Sequence, residues 1–252
     1  MNEVTRREQL RAATELDIRR HARELLVREG QEAVTLRAIA RELGITAPAL
    51  YRYYDSREDL LARLAEDICG DLSTELNETM RDVDDEHLSK VFAVCRGFRR
   101  WALAHPREFA LVFATPANTG GGRPGAEQRD SPHDPAESTT RGDELGSVFL
   151  SVVGPLMAEG VTNSPPPSVP DELREGLADS QRDLATAFNT HGIEMPPEAV
   201  SAEAVYMLLR WWARLYGQVA LEVFEKFPFD VSHADRLFES VLEELGRESG
   251  LR

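Results

Sequence analysis

Apolar residues recur every three and four positions along almost the whole chain, the period of an α-helix, and no stretch reads as a strand. The first run spans Thr5 to Glu29, with Leu10, Ile18, Ala22, Leu25 and Leu26 towards one side, and Gly30 is placed to stop it. Thr35 is positioned to cap a short helix ending at Leu43, and Gly44 to terminate it. Thr46 then caps a third helix reaching about Tyr54, with Pro48 in the first turn, where a missing N–H is harmless. Ser56-Arg57-Glu58-Asp59 has the form of a capping box, and Leu60, Leu64, Ile68, Leu72 and Leu76 make a four-spaced apolar stripe behind it. That fourth helix is long enough to leave a small first domain and enter a second. Further helices are predicted at 86–104, 107–115, 142–160, 171–190, 198–226 and 232–247. Residues 116–141, rich in Gly, Pro, Asp, Ser and Thr, read as a mobile loop, and 162–170 as a stiff Pro-rich link.

The predicted fold is therefore all-α. A three-helix N-terminal domain over 1–60 precedes a larger helical bundle over 61–252. Within the first domain, Leu36 to Tyr53 meets the steric demands of two short helices crossing sharply. Ala40 is small at the crossing, Gly44 tolerates positive φ in the turn, and Ile39, Leu43, Ile45 and Leu50 can face the first helix. The same pattern fits a helical hairpin that touches no nucleic acid, so the face left over decides between the two. It carries Thr46, Ala47, Pro48, Ala49, Tyr51, Arg52 and Tyr53: small groups where a helix must sit deep in a groove, then hydroxyls and a guanidinium within reach of phosphates and base edges. Arg37 and Arg57 flank that face as candidate phosphate clamps. Tyr54 is assigned to the core, and Tyr53 to either place.

Charge complicates this picture. The net charge of −15 disfavours a polyanionic partner, but residues 1–60 hold 11 Arg against 11 Asp or Glu, so the acidity lies in the rest of the chain. Arg6, Arg7 and Arg11 are either a groove-seeking arm or, among Glu3, Glu8 and Glu15, a solvated helix start. No segment approaches the roughly 18 uncharged apolar residues of a membrane span, and the charged N-terminus has no signal-peptide core. Cys69 and Cys95 sit within helical pattern and read as buried thiols. A cytoplasmic location without membrane association is the expectation. The six histidines are scattered, with no metal-ligand spacing, and no nucleophile-elbow, P-loop or metalloprotease motif is present, so neither a metal, a cofactor nor an enzymatic activity is expected.

Residues 35–61, TLRAIARELGITAPALYRYYDSREDLL, resemble the DNA-binding domain of the tetracycline-repressor (TetR) family, above all in the Leu-Tyr-x-Tyr-Tyr-x-x-Arg-x-x-Leu ending. The resemblance covers about residues 14–70. It implies that the third helix enters the major groove and that Arg37, Thr46, Ala47, Pro48, Tyr51, Tyr53 and Arg57 contact DNA; Arg57 stands where the family often has Lys. Ala47 and Ala49 offer no hydrogen-bonding group, so base reading would lean on Arg37, Arg52 and DNA shape. Residues 212–217, Trp-Ala-Arg-Leu-Tyr-Gly, resemble a Trp-x-x-x-His-Gly signature of one subgroup, with Tyr216 in place of the His.

A lone helix-turn-helix binds weakly, so a homodimer on a pseudo-palindromic double-stranded operator is expected. The last two long helices are the candidate seam, through Val205, Leu208, Trp212, Leu215, Tyr216 and Val219 on one and Leu237, Val241 and Leu245 on the other. Burial inside the monomer competes for each of these. The family resemblance implies a pocket for a small-molecule effector among the fourth to eighth helices. Its candidate walls are Phe92, Phe98, Trp101, Phe109, Phe113, Phe149, Met157 and Trp211, which suit an apolar or aromatic effector and fit a plain core equally well. The function expected is a ligand-responsive repressor. An activator, or a helical module that binds protein and not DNA, fits the same pattern, and the salt dependence of binding to random DNA separates the last from the rest.

Overall fold

Every regular element in the computed structural model is helical among the residues it describes, which are 6–84, 86–114, 146–155, 157, 168–190, 192–194 and 200–248. The helices are α1 (Arg6–Glu29), α2 (Leu36–Leu43), α3 (Ala47–Leu50), α4 (Arg57–Arg81), α5 (His87–Ala104), α6 (Pro106–Phe109, running into a π turn, Ala110–Ala114), α7 (146–155), α8 (Asp171–Arg174), α9 (Leu177–Thr190), α10 (Ala202–Val223) and α11 (Ala234–Glu248). The expected loop at 116–141 lies outside the described residues.

The chain forms two compact units. The first takes in everything up to Asp71 and the segment from His105, so among the described residues it comprises α1 to α3, the front of α4 and α6 with its π turn. It therefore extends past residue 60, the expected end of the N-terminal domain, and recruits a later helix. Ile18, Ala22, Leu25 and Leu26 of α1 are buried with Leu36, Ile39, Leu50, Tyr54, Leu60, Leu61, Leu64 and Ile68. Two apolar expectations fail here. Leu10 is 62% exposed, because the first two turns of α1 extend beyond the residues that could cover them, and Ile45 is 39% exposed.

Local chemistry accounts for the joints. The Thr35 hydroxyl accepts from the Ala38 N–H, and Gly44 adopts φ 68°, ψ 23°. Gly44 N–H then donates to Arg41 O and Ile45 N–H to Ala40 O, a Schellman closure that uses up the last carbonyls of α2 and turns Ile45 outward. Ser56 Oγ accepts from Asp59 N–H at 3.0 Å, while the Asp59 carboxylate accepts from Asp55 N–H at 3.1 Å. The capping box thus closes one residue earlier than its usual form.

The second unit contains the rear of α4 with α5 and α7 to α11. Leu72 and Leu76 continue the α4 stripe at zero exposure. A Cβ added at Gly97 of α5 would lie 2.8 Å from Leu76 Cδ2, so glycine is what allows α5 to cross α4 this closely. Arg96 of α5 makes a forked pair with Glu239 of α11, and Arg99 a partly buried one with Glu222 of α10. Met157, Val169, Leu177, Phe188, Val200, Ala202 and Val205 form a separate core around α9 and the start of α10.

Candidate nucleic-acid interface

Helix α3 is shorter than its pattern implied. Four residues are helical, and the chain continues to Tyr54 as hydrogen-bonded turns, with Tyr53 and Tyr54 N–H both donating to Leu50 O at 2.9 and 3.1 Å. Thr46 begins α3 but makes no side-chain capping bond, contrary to expectation, and its hydroxyl stands exposed. Leu50 anchors the segment at zero exposure. Pro48, Tyr51 (58% exposed) and Arg52 face outward, Ala47, Ala49 and Tyr53 are half-buried, and Tyr54 is core. Burial raises the Tyr54 phenol pKa against the opposing effect of the Arg19 guanidinium, which donates to its oxygen at 3.4 Å.

The arginines of the first unit separate into two sets. Arg11 pairs with Glu15, Arg19 with Asp67, Arg20 with Asp17 and Glu24, Arg23 with Asp71 and Glu108, Arg28 with Glu29 and Glu42, and Arg63 with Asp59 and Glu66. Arg57 is also engaged. Its Nε donates to Val34 O at 2.8 Å and its Nη2 to Gln31 O at 2.7 Å, so it pins the α1–α2 connection and is not the free phosphate clamp expected of it. Arg37, Arg41 and Arg52 are exposed and have no acidic partner among the described residues. All three belong to the α2–α3 segment. Residues 1–60 are neutral overall, yet apart from Arg6 at the start of α1 their described unpaired guanidiniums fall in the segment that carries Thr46, Pro48 and Tyr51.

Arg41 was missed by sequence reasoning. It lies four residues after Arg37, on the side of α2 opposite buried Ile39 and Ala40, so helical spacing alone could have found it.

The expected effector-site residues do not come together as one set. Phe98 and Phe149 meet at 6.0 Å, and each contacts Trp212, at 5.8 and 5.4 Å; Trp212 stacks on Tyr216 at 5.9 Å. Two residues expected at a dimer seam thus share a cluster with two expected at the pocket. Trp101 is buried in α5, Met157 belongs to the separate core around α9, Phe92 lies against Gly246, and Trp211 donates to Glu248 at 3.4 Å. Phe109 and Phe113 pair at 5.0 Å within the first unit.

The candidate seam needs a similar correction. Val205, Leu215, Val219 and Leu245 are buried within the chain itself, at 8% exposure or less, and so are core. Leu208, Tyr216 and Val241 are half-buried, while Trp212 and Leu237 remain exposed, together with Leu209 at 50%. Leu209, Trp212 and Tyr216 recur at helical spacing along α10. At Gly217, on the same helix, a Cβ would meet nothing within 4 Å, so open space lies there.

No helix among the described residues is long and apolar enough to cross a membrane. Comparison with known proteins also finds two parts along the chain. Residues 18–64 match the family of bacterial regulatory proteins of the tetR type, and residues 91–245 match the tetracyclin repressor-like C-terminal domain. Among curated relatives, HTH-type transcriptional regulator Rv1816 of Mycobacterium tuberculosis is 28% identical over 232 residues, covering 90% of this chain and 88% of the relative. The class A tetracycline repressor protein from transposon 1721 of Escherichia coli is 33% identical over 112 residues, 44% of this chain and 47% of that repressor. Among solved structures, the regulatory protein SCO4313 superposes with a TM-score of 0.61 at 27% identity, covering 96% of this chain and 98% of that one. A Rhodococcus sp. RHA1 protein shares the fold, with a TM-score of 0.52 at 18% identity and 94% of each chain covered. The matched families are transcriptional regulators, not enzymes.

Proposed function

The chain belongs to the TetR family of DNA-binding transcriptional regulators, and from that membership we propose that it is a cytoplasmic homodimeric repressor that leaves a pseudo-palindromic operator when a small apolar or aromatic molecule enters its C-terminal unit. The observation that carries the DNA-reading assignment is the segregation of charge in the first unit. Apart from exposed Arg6 at the start of α1, the other described arginines of the unit are paired or bound to carbonyls, and Arg37, Arg41 and Arg52 are left exposed in the one segment that carries Thr46, Pro48 and Tyr51. Unpaired guanidiniums release counterions when they meet phosphates, whereas those already neutralised by carboxylates gain little.

Exposed Leu209 and Trp212 and half-buried Tyr216 on α10, with exposed Leu237 on α11, support pairing of two copies through these helices. The Phe98–Phe149–Trp212 cluster supports an aromatic or apolar effector class. Release would follow if the effector bound better to a conformer whose two reading heads are misspaced for one duplex.

Selection of duplexes from a random pool by the purified protein tests the reading. A two-fold symmetric consensus is expected, with Arg37→Ala and Tyr51→Ala each weakening its binding at unchanged fold. Recovery of no sequence, or unchanged affinity in both variants, would remove the assignment of this face.

A further inference from the structure

The chain passes between its two compact units at two points among the described residues: within α4, after Asp71, and at the junction of α5 and α6, between Ala104 and His105. The first crossing is a continuous helix. At the second, the helical path is broken by His105, at φ −127° and ψ 55°, ahead of Pro106.

One side chain of α1 holds residues at both crossings. Arg23 Nη1 donates to the carboxylate of Asp71, the last α4 residue of the first unit, and Arg23 Nε donates to Glu108 in α6. The Glu108 side chain is only 3% exposed, the one buried carboxylate among the described residues, and its second oxygen lies 4.0 Å from His105 Nε2. Arg107 adds a second tie from α6 to α1, its Nη1 donating to Val27 O at 2.7 Å. One turn before Arg23, Arg19 binds Asp67 of α4 and the Tyr54 hydroxyl at the end of the reading segment. A planar guanidinium can send separate N–H groups to two anions lying in different directions, which the point charge of a lysine cannot do with fixed geometry.

We propose that Arg23 is a positioning residue that ties both chain crossings to the DNA-reading helices and so carries the coupling between operator binding and the C-terminal unit. This rests on the regulator reading above, because only coupled units make a shared tie consequential. Glu108 is the partner that makes the tie specific to α6, and Asp71 the one that joins it to α4. Because coupling is reciprocal, it can be measured without an effector: whatever the C-terminal unit does to operator affinity, the operator does to the C-terminal unit.

The test is backbone hydrogen exchange in α5, α10 and α11 with and without the selected operator duplex. It uses the full-length wild type, the double variant Arg23→Gln/Glu108→Gln, and Arg23→Lys. The double variant removes both charges together and leaves neither buried alone. In the wild type, operator binding should slow exchange in these helices by at least about fivefold, the lower end of ordinary allosteric coupling. The double variant should keep the wild-type salt slope on random duplex, because no phosphate-facing arginine is touched, while the slowing falls below about twofold. Arg23→Lys should fall between, and decides the matter by the same readout if the double variant does not fold. Slowing of wild-type size in the double variant or in Arg23→Lys would overturn the proposal, as would a wild type that binds operator with no slowing at all. A wild type that binds no duplex would overturn the regulator reading itself, which is a distinguishable result.

Discussion

The charge segregation in the N-terminal unit makes a quantitative claim about one residue that sequence reasoning passed over. Arg41 is exposed, has no acidic partner among the described residues, and lies one helical turn from Arg37. If it faces a phosphate, its replacement by alanine removes one phosphate contact per protomer and two per dimer. Each contact contributes about 0.9 to the slope of log K against log salt concentration, so the Arg41→Ala slope should be shallower by about 1.8. Between 50 and 200 mM salt, that difference amounts to roughly a tenfold change in relative affinity. Replacing Arg37, Arg41 and Arg52 together should flatten the slope by about 5, six contacts at the same value each. The assay is a fluorescence-anisotropy titration on a random-sequence duplex, where base contacts drop out and phosphate contacts remain. Arg20→Ala is the control. Arg20 is equally cationic and exposed but flanked by Asp17 and Glu24, at 3.2 and 3.5 Å, so its loss should leave the slope unchanged. Equal flattening in Arg20→Ala and Arg41→Ala would refute the reasoning, since paired and unpaired guanidiniums would then count alike.

Other expectations concern stability and assembly. Gly44→Ala forces a Cβ into the left-handed region at φ 68° and should cost about 1–2 kcal/mol in denaturant unfolding, even though space for the methyl is open. Leu50→Ala empties a fully buried site behind the reading face and should cost about 2–5 kcal/mol by the same measurement. Burial holds the Cys69 and Cys95 thiols up to about 12, against an ordinary value of 9.0. Their contribution to stability is whole below pH 9.0 and is lost as pH rises towards 12. Each thiol should therefore withdraw roughly 1 kcal/mol by pH 10, and Cys69→Ala should flatten the alkaline limb of a stability–pH profile. Leu209→Glu with Leu237→Glu places charge on the exposed stripe and should give a helical monomer in analytical ultracentrifugation; an unchanged dimer would locate the seam elsewhere.

Helix-level features were legible in advance because they depend on neighbours in sequence. Gly44 in the left-handed region, Thr35 as a cap, the Ser56 box and the buried stripe from Leu60 to Leu76 all follow from periodicity and from residues within four positions of one another. The family resemblance at 35–61 also lay within one such local stretch. Thr46 shows where this stops. Its place at the start of α3 was readable, but the absence of a capping bond was not, because a hydroxyl's choice of partner depends on the geometry of the turn around it.

What the sequence by itself determined, then, is an all-helical chain with a sharp two-helix turn and apolar faces of known position. Which charges and which apolar faces remain available was decided only by tertiary structure. Arg19, Arg23, Arg37 and Arg41 are alike in sequence, and the first two are neutralised by carboxylates 48 and 85 residues away. Helix α10 is apolar on more than one side, and its own period cannot say that the chain covers Val205, Leu215 and Val219 while leaving Leu209 and Trp212 in solvent. The physical reason is the same in both cases. Periodicity reports how residues are arranged around one helix axis, whereas burial and ion pairing depend on which other helix arrives at that face.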